Sequence, residues 1–540
     1  MIFFWSSLFI NSIKISRLVF LFIVGCSPVQ NQNNNIAIFK SYQATEVFAA
    51  GYTGISEKYI DDISIEDIAI EGIRGLGTID PDLTISFSRA SNNLRAINVN
   101  NKILNSEIIL SFQGKEIIRK ETPPSDDINK WSILTTEISV AAMRASPELR
   151  SASLESVYEA IFDGVLSNLD IFSRYFGAEE ALRNRNKRDG FGGIGIRFEE
   201  LNGLPVIVSV LKDTPAEMAG LLRGDSITHI NGNGVKGLKK REVLGLLHGP
   251  IHTQIELTFI RPTIQKPRII SVLRAHIFPD SITQTISNGI IELTLKSFNQ
   301  NTARSLSQKL EDARNLLGEN MKGIILDLRG NPGGLLKQSV KVVDLLLTQG
   351  MIISTQGRHS DSLNQYEAGG RDLAVGLPVA VLLDGKSASA AEIVAAALQD
   401  RSRAVIIGTT SFGKGSVQTV IRLPNNGEIQ LTWSRLVTPS GYMFHGLGIR
   451  PEICTSGLTN NSEKIIRQVI NKREKILKML TNWRKVTLND KLKRAKLRNT
   501  CPSERRLEDL ESSIAKYLIT HPSIYQHALE LSTDSNAANY

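Results

Sequence analysis

Between residues 282 and 455, short continuous apolar runs alternate with segments of helical period. The runs predict strands and the periodic segments predict helices: Gly289–Leu295, Lys322–Leu328, Leu377–Leu383 and Ala404–Gly408 as strands, and Thr302–Leu317, Gln338–Gln349 and Ala388–Leu398 as helices. Continuous apolar strands that alternate with helices are typical of a parallel sheet covered on both faces. We therefore predict an α/β core over residues 270–457.

The chain before this core divides into two patterns. Residues 46–183 predict a mostly helical region with a few short strands, among them Glu107–Phe112. Within it, Ile68–Ile85 and Glu159–Phe176 share a helical apolar rhythm, a glycine and an aspartate before a turn, which indicates either an internal echo or two chance amphipathic helices. Residues 190–262 instead alternate short strands, turns and one or two helices.

The N-terminus has the features of an export signal. A short apolar run, Leu18–Val24, follows Lys14 and Arg17 and precedes Gly25 and Cys26. The run is shorter than the about 20 residues that a membrane span needs, and it fits a secretory signal over residues 1–25. The alternatives are an ordinary signal with an incidental cysteine and a lipoprotein signal, and we expect residues 26–45 to be a polar tether.

Charge is distributed unevenly along the 540 residues. The chain contains 63 Lys+Arg and 54 Asp+Glu, a net charge of +9, but residues 463–506 alone contain 15 basic and 4 acidic residues. The remainder is slightly acidic, so the composition does not indicate a nucleic-acid-binding protein. We expect residues 458–540 to form a basic helical extension, either as a solvated helix face or as a surface that contacts anionic lipid headgroups.

Two cysteines remain if Cys26 is modified. Cys454 and Cys501 are then either a disulfide or two unpaired thiols. No spacing of Cys and His indicates a metal site, and we expect no cofactor.

Candidate chemistry lies at the ends of the predicted core strands. Ser387 and Ser389 stand where a helix begins, and the N–H of Ala390 with the helix dipole favours an anion there. No histidine lies near these stretches in the sequence, so a desolvated lysine is the candidate base. Lys414, between two glycines, fits that role. The residues alone do not choose between Ser387 and Ser389.

Two resemblances connect these features. The stretch PAEMAGLLRGDSITHING (215–232) resembles a PDZ domain of the bacterial protease type, and the stretches 322–347, 377–400, 408–423 and 436–453 together resemble the C-terminal processing peptidases, or tail-specific proteases. The resemblance implies a crotonase-like or Clp-like protease core with an inserted PDZ domain. Separately, Ile23–Cys26 resembles a bacterial lipobox, which implies that Cys26 is the lipidated residue.

The resemblance also implies roles for individual residues. Ser389 is the expected nucleophile, Lys414 the general base and Gln418 a residue that orients the lysine; Asp400 is expected to be structural. The oxyanion hole would pair the Ala390 N–H with an N–H of Gly333 or Gly334. In the PDZ domain, a loop and strand are expected to bind the peptide carboxylate on backbone N–H groups: Gly193, Ile194, Gly195 and Ile196.

One residue departs from the family pattern. His248 stands where many members have an arginine that is thought to relay peptide binding to the active site. A histidine could do this only when protonated or as a neutral donor. Two interpretations of His248 are therefore open, a gating residue and an exposed turn histidine.

These features predict an exported serine endopeptidase. We expect it to recognise protein substrates by exposed C-terminal tails and to lie in the bacterial periplasm, held at a membrane through Cys26 and the segment 463–506. The alternative is a PDZ peptide-binding adaptor on an inactive protease fold. Acyl-CoA chemistry on a crotonase-like fold is disfavoured by the PDZ domain, the export signal and the Ser/Lys pair.

Overall fold

The computed structural model describes residues 39, 42–88, 106–264, 266–370, 372–459 and 462–537. Residues 1–38, which include the predicted signal and Cys26, lie outside this part. The N-terminal region contains α1 (Tyr42–Lys58), α2 (Ile65–Arg74), β1 (Leu83–Ser88), β2 (Glu107–Phe112), β3 (Lys115–Glu121), α3 (Ile128–Ala145), α4 (Pro147–Ser151), α5 (Leu154–Ser167), β4 (Arg174–Phe176) and α6 (Ala178–Asp189). Helix α1 starts inside the predicted tether and buries Ala44 completely, so residues 42–45 are not a polar linker.

The two segments of the sequence echo are helices that pack against each other. A Cβ on Gly164 in α5 would lie 2.3 Å from the Glu71 carbonyl oxygen, and a Cβ on Gly75 would lie 2.0 Å from the Ala160 carbonyl oxygen. Glycine at these positions lets the two backbones approach closely. The shared glycine of the echo therefore marks the contact between α2 and α5.

Residues 191–277 form a small β domain with two short helices. Its elements are β5 (Phe191–Gly193), β6 (Ile196–Leu201), β7 (Leu204–Val210), α7 (Pro215–Met218), β8 (Ser226–Ile230), β9 (Asn233–Gly234), α8 (Lys240–Leu247), β10 (Gln254–Ile260), β11 (Pro267–Leu273) and β12 (Ala275–Ile277). The sheet order is β11-β10-β8-β7-β6. Strand β11 pairs along the whole length of β10, so the main sheet of this domain continues to Leu273. The predicted end of the domain at residue 262 and the predicted start of the core at residue 270 were therefore wrong.

The core follows, and its elements are β13 (Ile282–Ser287), β14 (Ile290–Leu295), α9 (Thr302–Leu317), β15 (Gly323–Asp327), α10 (Leu336–Asp344), β16 (Gly350–Gln356), β17 (Asn364–Ala368), β18 (Val379–Leu383), α11 (Ala390–Asp400), β19 (Val405–Gly408), β20 (Ser416–Arg422), β21 (Glu428–Val437) and β22 (Ile453–Cys454). Helix α10 ends at Asp344, earlier than the predicted Gln349, because the apolar residues 345–347 continue the pattern as a buried turn.

Two sheets make up the core. The first has the order β13-β14-β15-β18-β19-β22 and is parallel from β14 to β22. The second has the order β17-β16-β21-β20, and β4 of the N-terminal region pairs with β21. Residues of β20 and β21 also join the buried core of the N-terminal region. The N-terminal region is thus built onto the sheet that carries Gln418.

The C-terminal helices are α12 (Ser462–Asn471), α13 (Arg473–Lys485), α14 (Lys491–Arg498), α15 (Leu510–Thr520) and α16 (Pro522–Ala537).

The two faces of the parallel sheet are covered by different helices, because successive residues of a strand point to opposite faces. Leu326 and Val381 face the cluster that contains α9, α10 and α11, whereas their neighbours Ile325 and Leu382 face the cluster that contains residues of α12, α15 and α16. The helices of the extension therefore cover the second face of the core sheet.

The charges of the extension divide into two groups. Arg484 and Arg494 are buried, at 6% exposure each, and bond to the core. The exposed cations of the segment include seven lysines: 472, 475, 478, 485, 491, 493 and 496. Within the described ranges, no helix combines the length and apolar character needed to cross a bilayer.

Candidate active site

Ser389 lies at the point where β18 and its following turn lead into α11. It is the N-cap of that helix and has φ 55° and ψ −114°. This is a rare backbone conformation for a residue with a side chain, and such strain is concentrated at functional sites. Its partly exposed side chain contrasts with that of Ser387, which is fully buried. The Ser387 hydroxyl donates to the Leu328 carbonyl (2.8 Å) and accepts from the Asp384 N–H (2.9 Å), so Ser387 has a structural position.

Lys414 lies in the loop between β19 and β20. Its ammonium is 5.0 Å from the centroid of the Phe172 ring, which belongs to the N-terminal region. Burial lowers the pKa of Lys414, and the Arg174 guanidinium lowers it further, whereas Asp170 and Glu392 raise it. The lowered pKa increases the neutral fraction that a general base requires. The structure contains no hydrogen bond between Lys414 and Ser389 in the part of the chain it describes.

Glu392 connects the two candidate catalytic residues. One carboxylate oxygen accepts from the Ser389 N–H and from the Lys414 N–H, at 2.8 Å each. The other accepts from the Gly413 N–H (2.7 Å) and from the Ser411 hydroxyl. Glu392 is fully buried, and burial raises its pKa to about 7. Sequence reasoning missed this residue, although the spacing of a serine and a glutamate three residues later is that of a capping box.

The glycine turn after β15 lies directly against the nucleophile. A Cβ on Gly333 would lie 2.8 Å from the Ser389 Cβ and 3.0 Å from the Ala390 nitrogen. The Gly333 N–H donates to the Asn331 side chain at 2.8 Å. Neither the Gly334 N–H nor the Ala390 N–H has an acceptor among the described residues. Of the two glycines that the sequence left open, Gly334 has the available donor.

Among the described residues, no hydrogen bond joins Gln418 to Lys414. The Gln418 amide nitrogen donates to the Ser416 hydroxyl (2.9 Å) and the Thr432 hydroxyl (3.3 Å). Strand β20 begins at Ser416 and is irregular between Val417 and Gln418, so Lys414 and Gln418 do not lie on one regular strand, and the orienting role of Gln418 stays a prediction.

A cleft of about 330 Å³ runs beside Gln418. It is lined in part by Leu335, which directly follows Gly334, and by Trp433 and Ser434 of β21. The indole nitrogen of Trp433 and the hydroxyl of Ser434 are buried without a hydrogen-bond partner among the described residues. These two groups are available to bind a polar ligand in the cleft.

Asp400 is at the far end of α11 from Ser389, about 16 Å along the axis at 1.5 Å per residue. Its carboxylate accepts from the Ser440 N–H and hydroxyl (3.0 and 2.6 Å) and forms a buried ion pair with Arg484 at 3.0 Å. These contacts give Asp400 a structural position in the core.

His445 is a neighbour of the site that the sequence did not predict. A Cβ on Gly415 would lie 2.5 Å from the His445 nitrogen, and the imidazole is 5.8 Å from the Phe172 ring. The structure therefore places a histidine close to the loop that carries Lys414. Burial lowers the pKa of His445, and Arg435 and Arg494 lower it further, whereas Asp170 raises it.

The peptide-binding residues predicted in the β domain surround one cleft. Gly195, with φ 90°, Ile194 and Ile196 line a cleft of about 220 Å³ together with Leu244 and His248. The N–H groups of Ile194 and Gly195 have no acceptor in the described chain. Strand β6 is the last strand of its sheet path, so its edge is available for an added strand. Gly193 is instead paired with Ala275.

His248 lines this cleft and is not an exposed turn residue. Its ring centroid is 4.2 Å from that of Phe191, the first residue of β5. Burial lowers the pKa of His248, and Arg274 lowers it further. The exposed-turn interpretation was wrong, and the gating role stays a prediction.

The remaining cysteines form a disulfide between Cys454 and Cys501. Of the two states that the sequence left open, the structure contains the bonded one.

Two family models match the regions that carry these sites. Residues 192–266 match the PDZ domain, and residues 289–455 match peptidase family S41. A carboxy-terminal-processing protease from Bartonella bacilliformis is 42% identical over 301 residues, which are 55% of this chain and 69% of that protein. The carboxy-terminal processing protease CtpA from Bacillus subtilis is 33% identical over 302 residues, 55% of this chain and 64% of that protein.

A comparison with solved structures adds a more distant likeness. A photosystem II D1 C-terminal processing protease aligns over 76% of this chain and 92% of its own, with 21% identity and a TM-score of 0.37. The sequence matches show the class of protein: a serine peptidase with a PDZ domain. The chain belongs to peptidase family S41, and the predicted fold class, an α/β protease core with a PDZ domain and helical terminal regions, is confirmed.

Proposed function

We propose that the chain is a serine endopeptidase of the C-terminal processing type, with Ser389 as nucleophile and Lys414 as general base. The contacts of Glu392 carry the proposal. This one buried carboxylate accepts from the backbone of both residues, so it fixes the nucleophile and the loop of the base relative to each other. An inactive binding protein would have no need for this arrangement.

The reaction begins with neutral Lys414. The Ser389 hydroxyl attacks the substrate carbonyl, and the Lys414 amine takes the hydroxyl proton. Because no hydrogen bond joins Lys414 to Ser389 among the described residues, the two side chains must come closer before the proton is transferred. Catalytic hydrogen bonds commonly tighten only when substrate binds.

The next steps return the proton. The oxyanion is stabilised by the N–H groups of Ala390 and Gly334. Collapse of the tetrahedral intermediate breaks the C–N bond, and Lys414 donates its proton to the leaving amine, which leaves an acyl ester on Ser389. Lys414 then deprotonates a water that attacks the ester, and it returns that proton to Ser389 as the acid product leaves.

Substrate selection is assigned to the PDZ cleft. The free N–H groups of Ile194 and Gly195 suit a terminal carboxylate, and the apolar lining around Ile196 and Leu244 suits an apolar last residue. The polypeptide upstream of the tail then occupies the cleft beside Gln418. The proposed substrates are exported proteins with exposed C-terminal tails.

The test uses two peptides that differ only at the C-terminus, one with a free carboxylate after an apolar residue and one amidated. We expect the wild type to cleave the first much faster, and the Ser389→Ala variant to bind it without cleaving. Binding without cleavage by the wild type would instead favour the adaptor, and equal cleavage of both peptides would contradict recognition through the carboxylate.

We further propose that the protein is a periplasmic lipoprotein anchored through Cys26. The support is the sequence Ile23–Cys26 and the preceding apolar run. The exposed lysines of residues 463–506 would add attraction to anionic headgroups. Metabolic labelling with a radioactive fatty acid should label the wild type and not the Cys26→Ser variant; equal labelling would contradict the anchor. Release of the Cys26→Ser variant from membranes by high salt would support the lysine contact.

A further inference from the structure

The end of α14 and the chain that follows it contact the segments that lead to the candidate catalytic residues. We define residues 494–506 as the C-terminal strap. The Thr410 hydroxyl donates to the Cys501 carbonyl (2.6 Å), the Thr409 hydroxyl donates to the Glu504 carbonyl (2.9 Å), and the Ser503 hydroxyl donates to the Thr410 carbonyl (2.8 Å). These contacts hold the start of the loop that carries Lys414.

The same strap bonds to the turn that precedes Ser389. The Gly385 N–H donates to the Glu504 carbonyl at 2.6 Å, and the Arg506 N–H donates to the Asp384 carboxylate at 3.1 Å. The strap therefore contacts both segments that lead into the catalytic residues.

Of the strap contacts described here, those of Arg498 reach the loop at the positions nearest to Lys414 in the chain. One nitrogen of its guanidinium donates to the Ser411 and Phe412 carbonyls, at 3.0 and 3.2 Å, and another donates to the Leu447 carbonyl at 2.7 Å. Three acceptors on two loops match the planar fork of arginine, which a lysine cannot reproduce. Ser411 and Phe412 lie three and two residues before Lys414, so Arg498 fixes the backbone from which the base projects.

The strap is also closed covalently. Cys501, fully buried, is bonded to Cys454. Cys454 is the partner of Gly408 in the parallel ladder between β22 and β19, and β19 leads directly into the lysine loop. The disulfide thus joins the strap to β22, the strand beside β19.

We propose that the strap positions the Lys414 loop, with Arg498 as a positioning residue, and that the Cys454–Cys501 disulfide maintains this arrangement. The inference rests on the proposed function, because it needs Lys414 as the base. Turnover then depends on the oxidised state of the strap, whereas peptide capture by the distant PDZ cleft does not.

The first test compares Arg498→Lys and Arg498→Met with the wild type and with Arg314→Met, which removes an exposed arginine elsewhere. We expect both Arg498 variants to lower kcat by about tenfold to a hundredfold while KM stays nearly unchanged, and Arg498→Lys to retain more activity than Arg498→Met. Measurement at a temperature where every variant is folded by circular dichroism removes the effect of stability. Unchanged kcat in both Arg498 variants would overturn the proposal.

The second test changes the disulfide. We expect dithiothreitol, under conditions where mass spectrometry shows reduction, to lower kcat of the wild type to that of the Cys454→Ser/Cys501→Ser variant, which itself does not respond. Full kcat in the folded double variant would overturn the disulfide's role. If the wild type cleaves nothing, the proposed function fails; if it cleaves and the Arg498 variants cleave equally well, only the strap proposal fails.

Discussion

Replacing Glu392 by glutamine tests how the nucleophile and the base are held together. The amide oxygen can take the position that accepts from Ser389 and Lys414, and the amide nitrogen can donate to the Ser411 hydroxyl. The Gly413 N–H is then left without its acceptor. An unpaired buried N–H costs about 1–3 kcal/mol, which corresponds to about fivefold to 150-fold if the cost falls on the transition state.

Although Glu392→Gln is expected to lower activity, it is expected to make the folded protein more stable relative to the wild type as the pH rises. Burial raises the pKa of Glu392 from 4.5 to about 7 in the folded protein. A group with a raised folded-state pKa contributes stability below its unfolded pKa, and this contribution is lost as the pH rises through the folded value. The difference between the pKa of Glu392 in the unfolded and in the folded protein corresponds to about 3 kcal/mol of unfolding free energy. Glutamine has no charge to bury and does not lose this contribution.

The assay combines urea unfolding at pH 4 and pH 8 with steady-state cleavage of a tail peptide at pH 8. We expect the unfolding free energy of Glu392→Gln, relative to the wild type, to be about 3 kcal/mol higher at pH 8 than at pH 4, while kcat falls and KM changes little. Glu452→Gln is the control, because Glu452 is also buried with a raised pKa but bonds to Gln399 and Ile406, toward the other end of α11. A pH-independent stability difference would refute the raised pKa, and an unchanged kcat would refute the coupling.

Three further substitutions separate local effects. Arg174→Gln removes a positive charge that lowers the pKa of Lys414, so the acidic limb of kcat/KM should move to higher pH by less than about one unit and less at high salt; a shift to lower pH would contradict the assignment. Gly164→Ala should lower the unfolding free energy in urea by about 1–3 kcal/mol, whereas Gly245→Ala, whose Cβ would meet open space, should not lower it. His445→Asn should retain kcat/KM within about tenfold, and a loss as large as that of a base deletion would make the imidazole the base.

The sequence predicted the central sheet well because its strands are continuously apolar. The same pattern implied that both faces of the sheet are covered, and the helices of residues 282–455 cover one face. The second cover was missed because the high density of basic residues in 463–506 suggested a solvated appendage. Arg484 and Arg494 are buried against the core, where Arg484 pairs with Asp400, so their charge gave the wrong indication of their location.

The candidate site was predictable where its geometry is local. Ser389 and Ala390 begin a helix, and the spacing to Glu392 follows a capping box. The contact of Lys414 with Phe172 joins residues about 240 positions apart in the chain, and no periodic pattern indicates such a pairing. The orienting role of Gln418 stays a prediction, because Lys414 lies in the loop before β20 and not in the strand that carries Gln418.

Chemical rescue of Lys414 is the most direct test of whether this lysine is the base that activates Ser389. We expect the Lys414→Cys variant to fold and to bind the tail peptide, with kcat/KM at least about a thousandfold below that of the wild type. Alkylation with bromoethylamine then rebuilds an amine of nearly the same length on the introduced cysteine, while Cys454 and Cys501 are protected in their disulfide. The account predicts that cleavage returns, with the acidic limb of its pH profile at lower pH because the thioether makes the amine less basic. Undiminished cleavage by unmodified Lys414→Cys, or no recovery in a folded and fully alkylated protein, would contradict Lys414 as the base that activates Ser389.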